Sequence, residues 1–368
     1  MASSALAATR ARIAQLDIEI QKLQRLMDPL LAEREQCTQT VADFRIKYPV
    51  LTLPAEITSE IFLHFLPSYP RRPTIIGPQS PSLLLQICRQ WRDVALATPS
   101  LWSTVELYLD YAGYHAHKRD LFKKWLQRSG NCVLSIRLEY DMDDEERVAI
   151  SGECVEALLC HASRWQDLEI IWPFEGLRNI AGSMPLLRSV TVGPCEWGER
   201  PETPVVLFTE APALRNAVLP NFFDPFAIIL PWSQITTLFA DALRLDEAIE
   251  ILRQSTTLEH CTITTIYDGD ASAASLIPPL PVRSLTLRFS ASSTAARLLH
   301  LFAALNLPLL ETLAVNEFFL GPDPVGTLSG LCPNRYPQEI EIFHARTPRE
   351  IYAGAFPLAS LSVHELSV

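Results

Sequence analysis

The chain has 368 residues, of which 48% are hydrophobic, so it can bury large cores and is long enough for two or three domains. A formal net charge of −11 argues against a nucleic-acid-binding protein, because phosphate contacts need a basic surface. The eight cysteines lack paired spacing, there is no secretory signal, and no apolar run reaches the roughly 18 residues of a membrane span. We therefore expect reduced thiols, no membrane insertion, and a cytoplasmic and/or nuclear location.

The first 48 residues carry a heptad pattern. Apolar residues occupy one position at Leu6, Ile13, Ile20 and Met27, and a second position three residues later at Leu16, Leu23 and Leu30. This period of 3.5 residues is typical of a coiled coil, so we predict a coiled-coil-like helix over 1–48 and self-association through residues 6–30. Pro29 lacks a backbone donor and is expected to kink or interrupt the helix. The alternative is one amphipathic helix folded back on its own chain.

Two short amphipathic helices are predicted next, at 53–66 and 83–96. In the first, Pro54 suits the first helical position and Glu56 favours the positive helix end. The apolar residues then recur at spacings of three and four, as Ile57, Ile61, Phe62, Phe65 and Leu66 in the first helix and Leu84, Ile87, Cys88, Trp91 and Ala95 in the second. Five prolines between them predict an extended loop over 67–82. Helices this short need each other and a third surface.

The order of these motifs resembles the F-box over residues 51–107. A Leu-Pro-x-Glu-Ile opening, an Ile-Cys-x-x-Trp-Arg centre and a Leu-Trp close follow one another as in that family. The resemblance assigns 49–107 to an F-box domain and implies a substrate receptor of an SCF-type ubiquitin ligase. It places the contact with a Skp-type adaptor at Leu53, Pro54, Ile57, Ile61, Leu84, Cys88 and Trp91. Leu101 and Trp102 are expected to pack beneath. The alternative is a helical hairpin that only caps the following domain.

From residue 108 onward the chain repeats a short apolar pattern. Triplets with the spacing apolar, two variable, apolar, one variable, apolar begin at Val133, Trp165, Leu187, Leu214, Ile235, Leu258, Val282, Leu310 and Leu358, with a weaker copy at Ile340 and Ile342. Most intervals are 21 to 28 residues, the period of leucine-rich repeats, and helix-like segments fall at 154–164, 244–254 and 293–305. We predict an irregular leucine-rich-repeat solenoid with a parallel sheet over 108–368. The alternative is a more compact α/β domain.

Residues between the apolar positions of each strand are expected to face outward and bind a protein target. Those assigned to this surface are Arg188, Arg215, Phe239, His260, Arg283 and Glu311. An acidic or phosphorylated target segment is one alternative, because arginine recurs at the first variable position.

Catalytic and metal-binding motifs are poorly represented. The sequence has no Gly-rich phosphate loop, no Gly-x-Ser-x-Gly and no His-Glu-x-x-His. Cys154, Cys160 and His161 lack a fourth ligand, so we interpret them as buried helix residues. Residues 141–146 are acidic but lack the turn glycine of a calcium loop, so we interpret them as a solvated loop. We expect no cofactor and no metal.

The sequence as a whole predicts an α/β protein with an all-α N-terminal part. Its predicted function is a non-catalytic receptor subunit that binds a Skp-type adaptor, and through it a cullin ligase, and presents a protein target. The alternative function is a coiled-coil and solenoid interaction scaffold that recruits no ligase.

Overall fold

The computed structural model describes residues 2–47, 49–68, 70–109, 115–140, 145–195, 201–220, 223–267, 277–289, 301, 305–316 and 339–343. The chain divides into two compact units, Met1–Ile61 and Phe62–Val368. The protein is mixed α/β with an N-terminal helix and a parallel sheet, which confirms this part of the fold class expected from the sequence.

The first unit is helical. It contains α1 (Ala2–Lys47), a 3₁₀ helix at Pro49–Thr52 and the start of α2 (Ala55–Phe65). Helix α1 runs through Pro29, so the interruption that we considered there is absent. Proline removes one backbone hydrogen bond, and the helix-forming residues on both sides retain theirs. Every side chain of α1 from Ala8 to Asp43 is exposed.

The second unit contains the rest of α2, six further helices and all of the strands that the structure describes. The helices are α3 (Leu84–Ile87), α4 (Arg89–Leu96), α5 (His115–Arg128), α6 (Glu145–Leu159), α7 (Phe174–Leu177) and α8 (Leu245–Gln254). The strands are β1 (Thr104–Leu109), β2 (Leu134–Tyr140), β3 (Trp165–Ile171), β4 (Ser189–Gly193), β5 (Val205–Val206), β6 (Asn216–Leu219), β7 (Ile228–Ile229), β8 (Thr237–Ala240), β9 (Leu243–Arg244), β10 (His260–Tyr267), β11 (Ser284–Phe289), β12 (Thr312–Asn316) and β13 (Glu339–Phe343).

Within the described ranges, eleven strands form one sheet whose order follows the chain, β1-β2-β3-β4-β6-β8-β10-β11-β12-β13, with β9 beside β10. Every pairing in it is parallel. Strands β5 and β7 form a separate parallel pair. Parallel neighbours cannot be joined by a tight hairpin, so each successive pair of strands requires a crossover connection.

The strand register follows the apolar triplets of the sequence. The apolar positions of the triplets that begin at Val133 through Leu310 are buried on the inner face, as at Ile136 and Leu138 in β2 and at Leu285 and Leu287 in β11, with the exception of Val133 itself. The side chain of Val133 is 47% exposed, and that of Ile340 in the weaker copy is 41% exposed. The weaker copy at Ile340 and Ile342 forms β13, and the triplet that begins at Leu358 lies outside the described residues.

Backbone hydrogen bonds also join successive repeats at the residue that immediately precedes each strand. The carbonyl of Arg215 accepts from the N–H groups of Thr236 and Thr237 at 2.9 and 3.1 Å, and that of Thr236 accepts from Glu259 and His260 at 2.8 and 3.0 Å. The same pattern recurs from Arg188 through Glu311. These bonds satisfy the polar groups of the chain at each bend.

The proline-rich segment 67–82 covers the first edge of the sheet. Its Thr74 forms a parallel bridge with Glu106 of β1, and the Pro73 carbonyl accepts from the Glu106 N–H at 2.9 Å. Ile75 is buried, and its carbonyl accepts from the Ser80 hydroxyl at 2.9 Å. An uncovered edge strand is a site for unwanted pairing with other chains. The long insertion therefore protects β1 as well as connecting two helices.

The structure agrees with one predicted helix of this region and differs from another. Helix α8 matches the segment 244–254 closely, whereas α6 begins and ends earlier than the predicted 154–164. The helix predicted at 293–305 lies almost entirely outside the described residues. No helix in the described part of the chain is both long and apolar enough to cross a bilayer.

Helix α8 contains a buried carboxyl group whose ionisation opposes folding. Glu247 is buried and accepts a hydrogen bond from the Arg244 N–H at 2.7 Å. Burial raises the pKa of Glu247 to about 7, against the opposing effect of that bond, and Asp224 and Asp246 add to the rise. Its contribution to stability is complete below the ordinary pKa of 4.5 and is lost as the pH rises through about 7.

Glu247→Gln should therefore abolish a loss of stability that the natural protein shows between pH 5 and pH 8. We expect this loss to be about 2–3 kcal/mol, because each unit of pKa shift corresponds to ~1.4 kcal/mol. Urea denaturation of both proteins at the two pH values measures it. A difference in stability between the two proteins that does not change with pH would contradict the assignment.

Candidate functional site

One face of α2 presents three large apolar side chains to solvent. Ile57, Ile61 and Phe65 are spaced by four residues, so they lie on one side of the helix, and their exposed fractions are 51%, 46% and 38%. Thr58 and Phe62 lie on the neighbouring face and are buried. We call Ile57, Ile61 and Phe65 the α2 stripe. A helix that buries one apolar face and leaves a second one exposed has a surface available for a partner.

The second predicted helix is divided into α3 and α4 at Cys88. This residue is extended, with φ −156° and ψ 169°, and its Sγ accepts from the Trp91 N–H at 3.4 Å as the N-cap of α4. The prediction of one continuous helix over 83–96 was therefore wrong. Cys88 contributes a cap, and the sequence offers no proline or glycine at this position that would have indicated the break.

The division changes which side chains of this segment are exposed. Leu84 is 4% exposed and so belongs to the core, whereas Ile87 is 58% exposed and Leu83, four residues before it, is 37% exposed. Leu83 and Ile87 were missing from the predicted site, and the apolar spacing of four residues was the signal that could have found them.

Trp91 packs into the interior of the second unit. Its ring meets Phe62 edge-on, with ring centroids 5.0 Å apart and an interplanar angle of 62°. Phe62 is buried and Trp91 is half-buried. Aromatic pairs of this geometry contribute about 0.5–1.5 kcal/mol beyond their burial. This contact thus joins Phe62 of α2 to α4.

Of the predicted adaptor-binding residues, the structure leaves Pro54, Ile57 and Ile61 exposed, and it leaves Leu53 and Cys88 half-buried. Pro54 also accepts a hydrogen bond from the Thr58 N–H at 3.0 Å, as expected for the start of a helix.

The outward face of the sheet has two chemically different halves. The half on β1, β2 and β3 is charged. Arg137 contacts three carboxylates, those of Glu139 at 2.8 Å, Glu169 at 3.3 Å and Glu106 at 3.7 Å. Burial lowers the pKa of Arg137, but Glu169, Glu139 and Glu106 outweigh it and raise the pKa overall.

The proline-rich segment contributes to this charged half. Arg72 pairs with Glu169 at 3.0 Å and donates to the Ser135 hydroxyl at 3.0 Å. Asp167 lies beside this group, and burial raises the pKa of Asp167 against the opposing effect of Arg72. The charged side chains of this half are therefore largely engaged with one another. Sequence reasoning missed Arg72 because its partners are far away in the chain.

From β4 to β12 the outward face carries two rows of side chains in which His260 is the one acidic or basic residue, and the exposed Arg288 of β11 lies two residues beyond the second row. The register places Phe239 between Val218 and Thr262, and His260 between Thr237 and Ser284. The two rows are Ser189, Asn216, Thr237, His260, Ser284 and Thr312, and Thr191, Val218, Phe239, Thr262, Thr286 and Ala314. We call these residues the hydroxyl-rich face.

The predicted target-binding residues divide between this face and its border. Phe239 and His260 are central members, whereas Arg188, Arg215, Arg283 and Glu311 precede their strands. The Arg215 guanidinium donates to the carbonyls of Pro212 and Leu214 at 2.9 and 2.7 Å, and Arg283 pairs with Glu311 at 2.7 Å. Three of these border residues thus have partners within the chain.

No group of three or more His, Cys, Asp or Glu residues in the described ranges could hold a metal ion. Cys154 is buried as expected, and burial raises the pKa of Cys154 to about 12, which keeps its thiol protonated. Cys160 is exposed and His161 is half-buried, and both lie beyond the end of α6, so the prediction of buried helix residues was wrong for these two. Residues 141–144 of the predicted acidic loop lie outside the described residues, and Glu145 and Glu146 begin α6, so the loop prediction was wrong for these two.

No family model and no curated protein matches the chain.

Proposed function

We propose that the protein is a non-catalytic substrate receptor of an SCF-type ubiquitin ligase. Its helices α2 to α4 dock a Skp-type adaptor, the sheet presents a protein target, and the partners perform ubiquitin transfer. The observation that carries the proposal is the α2 stripe, whose three exposed apolar side chains lie at the Leu-Pro-x-Glu-Ile motif that resembles the F-box.

The chemistry of the α2 stripe suits a protein partner. Ile57 and Ile61 occupy consecutive turns of one helix face and are about half exposed, so a partner would remove substantial apolar surface from water. A helix that lays such a face into an apolar groove is a common mode of recognition. Leu83, which immediately precedes α3, and Ile87 at the end of α3 offer a second exposed pair.

We also propose that residues 108–368 form an irregular leucine-rich-repeat-like solenoid. The support is the strand order that follows the chain and the backbone hydrogen bonds that recur at intervals of 21 to 28 residues, from Arg188 to Arg215, Thr236, Glu259, Arg283 and Glu311. Such an arrangement presents an extended surface of outward side chains to a partner.

Titration of a Skp-type adaptor into the purified full chain tests the receptor function. We expect saturable binding with one adaptor per chain and a Kd below about 1 μM, equivalent to about −8 kcal/mol. A soluble, folded chain that binds no adaptor would contradict the proposal. The chain would then be better described as an interaction scaffold that recruits no ligase.

The hydroxyl-rich face is our proposed target-binding surface, with Phe239 as its anchor. Aromatic side chains at the centre of an interface often dominate binding, and Phe239 has Val218 and Thr262 as neighbours on adjacent strands. The prevalence of uncharged hydroxyl and amide groups favours a polar, uncharged segment of the target. Because Arg215 and Arg283 already have partners, Phe239 and His260 are the sharper probes.

Phe239→Asp together with His260→Asp should abolish capture of the target by the tagged protein in its native extract. The double change places charge at the centre of a neutral face. Quantitative mass spectrometry of the captured proteins measures the effect. The matched control is Leu186→Asp with Val206→Asp, which adds two aspartates at exposed apolar positions elsewhere. A set of captured proteins that is unchanged in the Phe239 and His260 variant would exclude this face.

A further inference from the structure

We infer that α1 forms a parallel, in-register two-stranded coiled coil with a second copy of this chain. The first observation is the exposure of its apolar seam. Ile13, Leu16, Ile20 and Leu23 are 54%, 42%, 50% and 57% exposed, and every described side chain from Ala8 to Asp43 is exposed. Among the residues that the structure describes, none covers the seam, which is therefore open to another molecule.

The identity of the seam residues selects the number of strands. In the heptad register, Ile13 and Ile20 occupy the a positions and Leu16 and Leu23 the following d positions. Branched residues at a with leucine at d favour a two-stranded parallel coil, because each side chain then fits the hole formed by the facing helix. Residues 6–30 extend over about 37 Å of continuous helix, at ~1.5 Å per residue.

The flanking residues fit a parallel partner. Arg12 lies at the g position before Ile13, and Asp17 lies at the next e position, after Leu16. In a parallel pair, g of one helix faces the following e of the other, so Arg12 meets Asp17 of the second copy twice, once on each side. The next such pair is Glu19 with Gln24, which can hydrogen-bond.

The third flanking pair is apolar and widens the seam. Leu26 and Leu31 occupy g and e around Met27 and Leu30, and all four are exposed. A partner copy would bury these side chains together with the a and d residues. In a dimer with a second copy, the g and e positions therefore form a charged, a polar and an apolar pair in turn along the helix.

A cysteine in α1 can report whether the two helices are parallel or antiparallel. Cys37 falls at a d position of the same register, two heptads after Leu23, and it is exposed on the continuous helix. Equivalent d residues face each other in a parallel in-register pair, within reach of a disulfide. In an antiparallel pair centred on residues 6–30, the two Cys37 residues would lie about 57 Å apart, at ~1.5 Å per residue.

The first test is the mass of the purified full chain by light scattering at micromolar concentration. We expect twice the mass of one chain, and a monomer would overturn the inference. Leu16→Asp with Leu23→Asp should give a monomer, because it buries charge in the seam. The matched control, Gln15→Asp with Gln21→Asp, makes the same number of aspartates outside the seam and should stay dimeric. A dimer that survives the Leu16 and Leu23 changes would also overturn the inference.

The second test is mild oxidation followed by a non-reducing gel. The natural protein should form a covalent dimer that is lost in Cys37→Ser and in the Leu16 and Leu23 variant. A dimer in solution that forms no Cys37-dependent crosslink would exclude the parallel in-register arrangement. Both tests are independent of adaptor binding, so their outcome is separable from that of the proposed function.

Discussion

Trp102→Ala is expected to destabilise the Phe62–Val368 unit by about 3–5 kcal/mol, the usual cost of removing a large buried aromatic side chain. Trp102 is fully buried, and its ring meets that of Trp125 edge-on at 5.0 Å. Its Nε1 donates to the Ala95 carbonyl at 2.9 Å, and the Arg128 guanidinium lies 4.6 Å from the ring centroid. One side chain therefore joins α4, α5 and the start of β1.

Urea denaturation of the full chain measures this effect. Trp102→Phe is the graded variant, since it retains much of the ring and loses the hydrogen bond, and it should cost less than the alanine change. Leu186→Ala is the surface control, because Leu186 is exposed and should change stability by no more than about 0.5 kcal/mol. A cost below about 1 kcal/mol for Trp102→Ala would contradict its role in joining these elements.

Ile57→Asp with Ile61→Asp is expected to weaken adaptor binding at least thirtyfold. Loss of a well-buried interface anchor costs more than about 2 kcal/mol, and an aspartate in an apolar contact adds an unpaired charge. Both residues are about half exposed in the free chain, so the change should leave the fold intact. Titration calorimetry measures binding, and circular dichroism checks the fold.

Two further variants distinguish residues that contact the adaptor from residues that stabilise the fold. Leu186→Asp with Val206→Asp adds the same charge at other exposed apolar positions and should bind the adaptor normally. Trp91→Ala should lose binding together with stability, because Trp91 packs on the buried Phe62. Adaptor affinity that is unchanged by the Ile57 and Ile61 variant would remove the α2 stripe from the interface.

The strands were predictable because the apolar triplet marks both the period and the inner face. The spacing placed β2, β3, β4, β6, β8, β10, β11, β12 and β13 correctly. The predicted triplets do not include β1, although Trp102, Val105 and Leu107 have the same spacing, and they do not include the short strands β5, β7 and β9. Trp102 both ends the F-box-like motif and begins the apolar triplet of β1.

The boundaries of helices and the details of the site were less predictable. The break at Cys88 depends on a cap formed by a thiol, and thiols are not among the usual capping groups. The charged half of the outward face depends on Arg72 reaching Glu169, a contact between residues far apart in the chain. Neither periodicity nor composition contains such information.

The sequence also could not predict which apolar side chains of a helix are exposed to solvent. Leu84 and Ile87 are both apolar and only three residues apart, yet Leu84 is buried and Ile87 is largely exposed. The spacing of three and four residues identifies a helix face but does not state what covers it. That information comes from tertiary packing.

Hydrogen exchange of the full chain, measured with and without a Skp-type adaptor, tests the central claim most directly because it reports both binding and its location. The α2 stripe and the exposed Leu83 and Ile87 predict that protection increases over residues 53–66 and 83–96. The strands that carry the hydroxyl-rich face should be unchanged. Protection confined to those strands, or no change anywhere in a folded chain, would contradict the receptor function proposed here.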